Sequence, residues 1–177
     1  QQELYKSNPY NIIRLELGLD QPQDESGNNK HLRAANTLKE WKSKGILLQD
    51  ELPSFYIYEQ TFIHDKRKYT RRSLFARLFL ENEKYSTVLP HEKTFSPAKE
   101  DRLKLLQSSR CNVSPLFLLY KDDGSNISSA IHSSKKNLLS DFQDSSGQSH
   151  TLYAISEPEV RWQIVELFKS KKLYIAD

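Results

Sequence analysis

A histidine and a glutamate stand side by side at His91 and Glu92, directly after Pro90 and the apolar pair Val88-Leu89. A carboxylate in a loop that leads into a helix can act as a general base on a hydroxyl group, and a neighbouring imidazole can tune that carboxylate or bind phosphate. The alternative is that Pro90 ends a strand and that both side chains are solvated turn residues, the commoner role of loop carboxylates. If this segment carries a catalytic site, His91 and Glu92 are its candidate catalytic residues.

A second candidate is Asp177, the last residue, which follows the apolar run Leu173-Tyr174-Ile175. In open α/β folds the carboxyl end of a strand leads to the ligand crevice, so an aspartate there is placed for a metal, a phosphate network or a hydroxyl. An aspartate that starts a turn is the alternative. The chain begins with Gln1 rather than Met and stops directly after this apolar run, so we expect both termini to be internal to a longer protein.

Positive charge is concentrated in one short segment. Its basic residues are Lys66, Arg67, Lys68, Arg71 and Arg72, and Tyr69 lies among them. Such a cluster could hold nucleic acid through phosphate contacts and one stacked base. Charged side chains are also expected at the tip of a hairpin, and the segment falls where a hairpin tip is predicted, so we expect these side chains to be solvated.

Arg14 is a further candidate, as a residue that binds an anion or a cofactor phosphate. It interrupts an otherwise apolar segment, residues 11–17, that the pattern predicts as a strand. An arginine in such a position is unusual, whereas the Asn-Pro pair before it is ordinary at the entry to a strand.

The composition predicts a globular domain, because 37% of the 177 residues are hydrophobic, 28% are charged and the net charge is only +3. Cys111 is the only cysteine, so no internal disulfide can form. A reducing, cytoplasmic location is expected, and the absence of an apolar run of about 18 residues predicts no membrane span.

The sequence has five glycines and lacks a glycine-rich motif, which argues against a glycine-rich phosphate-binding loop within it. The five histidines lack zinc-ligand spacing, and the sequence does not identify a metal site.

Hydrophobic periodicity and turn residues predict alternating strands and helices, and therefore an α/β fold with a mixed sheet. The predicted strands are 11–17, 54–62, 73–80, 114–120, 138–142, 151–155 and 173–176. Helices are predicted for residues 31–44, ended by Gly45, and for residues 96–109, opened by Ser96-Pro97. A last helix is predicted after the capping box formed by Ser156 and Glu159.

Several short motifs, taken in order, resemble the uncharacterised prokaryotic domain-of-unknown-function family 1015. They are Asn8-Pro9-Tyr10-Asn11 with Arg14-Leu15, Gly45-Ile46-Leu47 with Gln49-Asp50, Phe55-Tyr56 with Tyr58-Glu59-Gln60, Pro90-His91-Glu92 with Thr94, Asp101-Arg102-Leu103 with Leu105-Leu106, Ser114-Pro115 with Phe117, and Ile175-Ala176-Asp177. The resemblance spans essentially the whole chain. It implies that the last strand continues into Gly-His-His-Arg beyond Asp177.

A second resemblance, in motif order, is to free-serine kinases with a ParB/sulfiredoxin-like catalytic domain. It implies that Glu92 activates the substrate hydroxyl, that Asp177 opens the phosphate-binding loop and that His91 is an accessory residue. It also implies a ParB/sulfiredoxin-like region over 87–177, truncated before that loop. A strand-helix-hairpin region, 1–86, would precede it, and we expect one compact domain.

Two functions from different classes follow from these expectations. The leading one is phosphate or nucleotide binding, with phosphoryl transfer to a small hydroxyl compound as the reaction. It implies ATP or ADP with Mg²⁺, since such transfers need charge neutralisation on the transferred group. The alternative is a non-catalytic interaction module that binds a protein or a nucleic acid. The oligomeric state does not follow from the sequence.

Overall fold

The computed structural model describes residues 1–80, 87–90 and 96–176, the last range without the side chain of Ser96. These residues form a mixed α/β fold with six α-helices and two β-sheets, so the predicted fold class is confirmed at that level. They divide into two compact units. The first comprises the described residues within 1–49 and 92–116, and the second those within 50–91 and 117–177. The predicted sequence division between 86 and 87 stays a prediction.

The described part of the first unit contains four α-helices. They are α1 (Gln2–Ser7), α2 (Ile13–Glu16), α3 (Lys30–Ser43) and α4 (Ser96–Ser109). Its core is formed by Leu15, Leu38 and Trp41, with Ile46 and Cys111 among the half-buried side chains packed against them.

Helix α3, at Lys30–Ser43, begins and ends within one residue of the predicted bounds, 31–44. Its N-cap is Asn29, whose side-chain oxygen accepts hydrogen bonds from the backbone N–H groups of His31 and Leu32, both at 3.1 Å. Gly45 follows its end with φ +68°, the left-handed conformation that glycine adopts without strain. Helix α4 also has its predicted bounds.

The predicted strand at residues 11–17 is wrong, since Ile13–Glu16 form α2. The side chain of Asn8 accepts from the N–H of Tyr10 at 2.7 Å, and that of Asn11 accepts from the N–H of Ile13 at 3.1 Å. Such Asx turns bend the backbone away from an extended path. Ile13 and Leu15, two residues apart, are both buried, and this spacing resembles the apolar alternation of a strand.

The described residues of the second unit include two sheets and two α-helices. The strands are β1 (Phe55–His64), β2 (Arg67–Phe75), β3 (Val88–Leu89), β4 (Leu118–Tyr120), β5 (Asn137–Gln143), β6 (Ser149–Ile155) and β7 (Leu173–Ile175). The larger sheet is antiparallel in the order β2-β1-β6-β5, and the smaller has the order β3-β7-β4. The helices are α5 (Asn126–Ser133) and α6 (Pro158–Phe168).

One face of the larger sheet packs against α5 and α6. The core there consists of Ile57, Ile127, Ile131, Ile155 and Ile164, four of them fully buried. Val160, Leu167 and Phe168, on the stripe predicted for the last helix, pack against these isoleucines. Burial of these apolar side chains between the sheet and the two helices is the main stabilisation expected for this unit.

The first hairpin is longer than the sequence predicts. Residues 67–72, expected to belong to a charged connection, lie in β2, which ends at Phe75 rather than Leu80. The turn consists of Asp65 and Lys66, both at positive φ, +49° and +63°. Two such residues match the twist of antiparallel strands, which explains how a charged, glycine-free turn closes the hairpin.

Three further predictions about elements need correction. The strand expected at 114–120 is limited to β4, and α5 was not predicted. The capping box is absent, because Glu157 is the N-cap residue of α6 and makes no side-chain cap bond. The Ser156 hydroxyl bonds instead to that of Ser54 at 2.8 Å, tying the ends of β6 and β1. The hairpin of β5 and β6 and the closing strand β7 are confirmed. No helix in the described ranges is long and apolar enough to cross a membrane.

Two isoleucines of β1 provide a matched test of this core. Ile57 has no exposed surface, whereas Ile63 is 76% exposed. We expect Ile57→Ala to lower the free energy of unfolding by about 2–5 kcal/mol, through lost transfer energy and the cavity left behind. Ile63→Ala should change it by about 0.5 kcal/mol or less. Urea denaturation followed by circular dichroism measures both, and equal effects would contradict this assignment of the faces of β1.

Candidate functional site

The smaller sheet brings together segments that are far apart in sequence. Its central strand, β7, pairs in parallel with β3 and antiparallel with β4. Val88 is opposite Leu173 and Leu89 is opposite Tyr174. Backbone bonds extend the pairing at both ends, from the Leu173 N–H to the Thr87 carbonyl and from the Ala176 N–H to the Phe117 carbonyl, each at 2.9 Å.

Because β3 and β7 are parallel neighbours, their carboxyl ends lie at the same edge of the sheet. Pro90 directly follows β3 and Ala176 directly follows β7. The candidate residues that come next in the sequence, His91, Glu92 and Asp177, lie outside the described residues. We expect Glu92 and Asp177 to lie near each other at this edge, within reach of a common ligand, and this stays a prediction.

Arg14, the fourth candidate, lies in α2 of the first unit. Its guanidinium donates to the backbone carbonyl of Tyr5 and lies 4.6 Å from the centroid of the Tyr5 ring, a cation–π contact. Its Nε is buried without a hydrogen-bond partner among the described residues. These contacts hold α1 against α2, and the proposed cofactor-binding role of Arg14 stays a prediction.

A polar cluster that the sequence did not single out borders a cavity of about 190 Å³ in the first unit. Asp101 Oδ1 lies 3.0 Å from both Lys30 Nζ and His31 Nε2, and Lys30 Nζ is 3.3 Å from Asp20. Burial raises the pKa of the Asp101 carboxyl, but the hydrogen bonds from Lys30 and His31 outweigh it and the net shift is downward. The bond to Asp101 likewise raises the pKa of Lys30.

A neighbouring set of contacts involves Glu16 of α2. Its carboxylate accepts from the Ser114 hydroxyl and lies 3.5 Å from Arg102 Nη2. Asp101 and Arg102 belong to one motif of the family resemblance, and this was the only sequence signal for the cluster. Asp20, Lys30, Asp101, Glu16 and Arg102 thus each have an opposite charge within 3.5 Å, so these ion pairs help to pack α2, α3 and α4 together.

His150 links two strands of the larger sheet and the turn that follows β5. It is 8% exposed; its Nδ1 is 2.6 Å from the Tyr58 hydroxyl and its Nε2 is 3.0 Å from Asp144 Oδ2. A carboxylate can only accept, so Nε2 carries the proton and Nδ1 of the neutral ring accepts from Tyr58. A Tyr–His–Asp chain of this kind can relay a proton, and it also fixes β1 against β6.

Asp144 organises the turn between β5 and β6. Its Oδ1 accepts from the backbone N–H groups of Ser146 and Gln148, at 2.9 and 3.0 Å, and from the Ser146 hydroxyl at 2.7 Å. The bond from His150, followed by these bonds, holds the pKa of the Asp144 carboxyl well below its usual range.

The basic residues of the first hairpin fall on two faces. Arg67 is paired with His64, Tyr69 with Phe62 and Arg71 with Gln60. Successive side chains of a strand alternate and directly paired ones share a face, so Lys68 and Arg72 lie on the opposite, Ile57 side. There Arg72 Nε donates to Glu59 at 2.6 Å.

We name the side that carries Arg67, Tyr69 and Arg71 the aromatic face. It comprises the alternate residues of β1 from Tyr58 to His64 and their cross-strand partners, and it extends through His150 of β6 to Phe142 of β5. The helices α5 and α6 pack on the other side of the sheet.

The chain belongs to the family described as "Protein of unknown function (DUF1015)", whose sequence model matches residues 1–177. Comparison with curated proteins and with solved structures gave no match. Among the described residues, no group of three or more His, Cys, Asp or Glu side chains is placed to hold a metal ion.

The Asp144 turn predicts a specific pH dependence. A carboxyl with a lowered folded-state pKa adds stability above its unfolded pKa, about 3.9, and this is lost as the pH falls through and below that value. We therefore expect Asp144→Asn to be less stable than the parent at pH 7, with the gap closing between about pH 5 and pH 2. Thermal melts across this range measure it. Asp65→Asn, in the turn of the other hairpin, is the control, and a gap that widened in acid would contradict the assignment.

The basic residues at the tip of the first hairpin, in the turn and at the start of β2, are expected to contribute little to stability. We expect replacement of Lys66, Arg67 and Lys68 by Ser to leave the free energy of unfolding within about 1 kcal/mol of the parent, because exposed charges contribute little. All three residues are exposed. Urea denaturation would measure the change, and a loss of several kcal/mol would show that these side chains are packed.

Proposed function

We propose that this domain binds the phosphates of a nucleotide at the edge of the smaller sheet where β3 and β7 end. The observation that carries the proposal is the parallel pairing of these two short strands. It supports a shared site, because ligands of α/β sheets bind outside the carboxyl ends of strands. The two segments with chemistry-bearing residues, His91-Glu92 and Asp177, each follow one of these strands in the sequence.

The proposed reaction is transfer of the terminal phosphoryl group of ATP or ADP to the hydroxyl group of a small molecule; the bond to the bridging oxygen breaks, and ADP or AMP leaves. Glu92 accepts the proton of the attacking hydroxyl, and His91 assists by holding the carboxylate or a phosphate oxygen. Asp177 organises the phosphates and the Mg²⁺ that accompanies them, which neutralises charge on the transferred group. The described residues offer no separate metal cluster, so the proposal assigns the ion to the nucleotide phosphates and Asp177.

The resemblance to ParB/sulfiredoxin-like free-serine kinases supplies the substrate class, a hydroxyl amino acid. It rests on the order of motifs and is an analogy at the level of the fold, which constrains chemistry only weakly. The parallel pairing of β3 with β7 supports the analogy in one respect, because in the sequence each of its two key segments follows one of these paired strands.

Thermal stabilisation tests nucleotide binding directly. A ligand at one hundred times its dissociation constant stabilises the folded state by about 2.7 kcal/mol. The full-length protein should therefore melt at a higher temperature with ATP or ADP and Mg²⁺. Incubation with serine, threonine and homoserine should yield a phosphorylated amino acid. No stabilisation together with no product would refute the proposal and favour the non-catalytic interaction module.

Substitution of Glu92 separates chemistry from binding. Glu92→Gln keeps the size of the side chain but removes the proton acceptor, so turnover should fall by about 10² to 10⁴ with little change in nucleotide affinity. Asp177→Asn should weaken nucleotide or metal binding as well. Glu100→Gln and Asp123→Asn, at exposed positions, are the matched controls and should retain full turnover. Unchanged turnover in Glu92→Gln would exclude the general-base role.

A further inference from the structure

We propose that the aromatic face of the larger sheet binds single-stranded nucleic acid. Bases stack on Tyr69 and Phe142, and backbone phosphates are held by Arg67 and Arg71. The proposal is independent of the nucleotide site at the edge of the smaller sheet, because it rests on a different sheet of the second unit and on other residues.

The aromatic rings of this face include two stacked pairs, and one ring of each pair is exposed to solvent. The Tyr69 ring lies on that of Phe62 with centroids 6.0 Å apart and planes at 27°, and Tyr69 is 42% exposed. Phe142 stacks on His150 with centroids 4.8 Å apart and planes at 13°, and Phe142 is 56% exposed. An exposed ring held by a second ring is a preformed platform for a base, since each base has a π-face.

The two platforms lie on strands at opposite edges of the sheet, β2 and β5. Three strand spacings of about 4.8 Å separate them, roughly 14 Å. A stacked strand advances about 3.4 Å per nucleotide, so several nucleotides would span the distance. A four-stranded sheet that stacks two or three bases on surface aromatics is an established way to bind RNA.

The charge on this face suits a polyanion. Arg67 and Arg71 flank Tyr69 on the same side of β2, and the facing side chains of β1 are Gln60, Phe62 and His64. The acidic residue within β1, Glu59, points to the other side and is neutralised by Arg72. Arg71 donates to the Gln60 side chain, which in turn donates to Gln148 at 2.7 Å, so the guanidinium is held on the platform.

Single-stranded nucleic acid fits better than a duplex because a duplex hides the faces of its bases. Stacking is available only to unpaired bases, whereas a duplex would engage the arginines alone. The proposal therefore predicts a preference for single strands over a duplex of equal length, in addition to the salt dependence that any phosphate contact produces.

Fluorescence anisotropy with labelled oligouridylate and oligothymidylate of about 12 nucleotides tests this. The full-length protein should bind both more tightly than a matched duplex. Tyr69→Ser should weaken binding by about tenfold or more, the range for loss of one base–aromatic stack. Ile63→Ser, on the opposite face of the same hairpin, is the control for removal of an exposed apolar side chain and should bind as the parent does.

Arg67 and Lys68, which are adjacent in β2, provide a second matched pair of variants. Arg67→Gln and Lys68→Gln remove one charge each, from opposite faces of β2. Arg67→Gln should lower the slope of log affinity against log salt by about 0.7, the value for one lost contact to a single strand. Lys68→Gln should leave the slope close to that of the parent.

Three outcomes would overturn the proposal. They are no binding at low salt, equal affinity for the duplex, and equal weakening by the two members of either matched pair. The last result would mean that net charge or general stability, rather than this face, governs binding. Equal melting temperatures of the variants would show that any loss of affinity is not a loss of folding.

Discussion

The register of β1 against its two neighbours is the constraint on which the larger sheet depends. Ile57 is fully buried against α5 and α6, and its strand is hydrogen-bonded on both sides, to β2 and to β6. Since side chains alternate with a period of two, a slip of one residue would carry Ile57 to the other face. The same alternation separates Arg67 and Arg71 from Lys68 and Arg72, so the burial of one isoleucine decides which cations share a face with the exposed aromatics.

Much of the local structure could be predicted because the signals were chemically specific. Gly45 ends α3, the Ser96-Pro97 pair opens α4, and the Asp144–Gly147 turn lies between two strands. The Asn29 cap of α3 was seen only in the structure. The failures have physical causes. Side-chain bonds from Asn8 and Asn11 favour turns over the extended backbone that an apolar alternation suggests. Residues 67–72 looked like a loop because their side chains are charged, yet an edge strand tolerates such side chains well.

The candidate sites show a different limit. The segments around His91, Glu92 and Asp177 were selected from local sequence, and only the pairing of β3 with β7, about 85 residues apart in the chain, relates them. The contact of His150 with Tyr58 and that of Asp101 with His31 also join residues distant in sequence. No local pattern encodes such pairs. By contrast, the alternation of Arg67, Tyr69 and Arg71 would have predicted a shared face once the segment was recognised as a strand.

The two edge strands of the larger sheet, β2 and β5, differ in how readily each would pair with a strand of another copy of the chain. Along β2, exposed cations would face those of a second β2, and this repulsion disfavours edge-to-edge pairing. Strand β5 has no such row of like charges, and its Leu138, Leu139 and Phe142 are about half exposed. A register shift between Leu138 and Ser140 breaks its ladder, and an interrupted, bent edge is a poor template for an added strand. The irregularity therefore makes this apolar edge a poorer template for cross-β growth than a regular strand of the same composition would be.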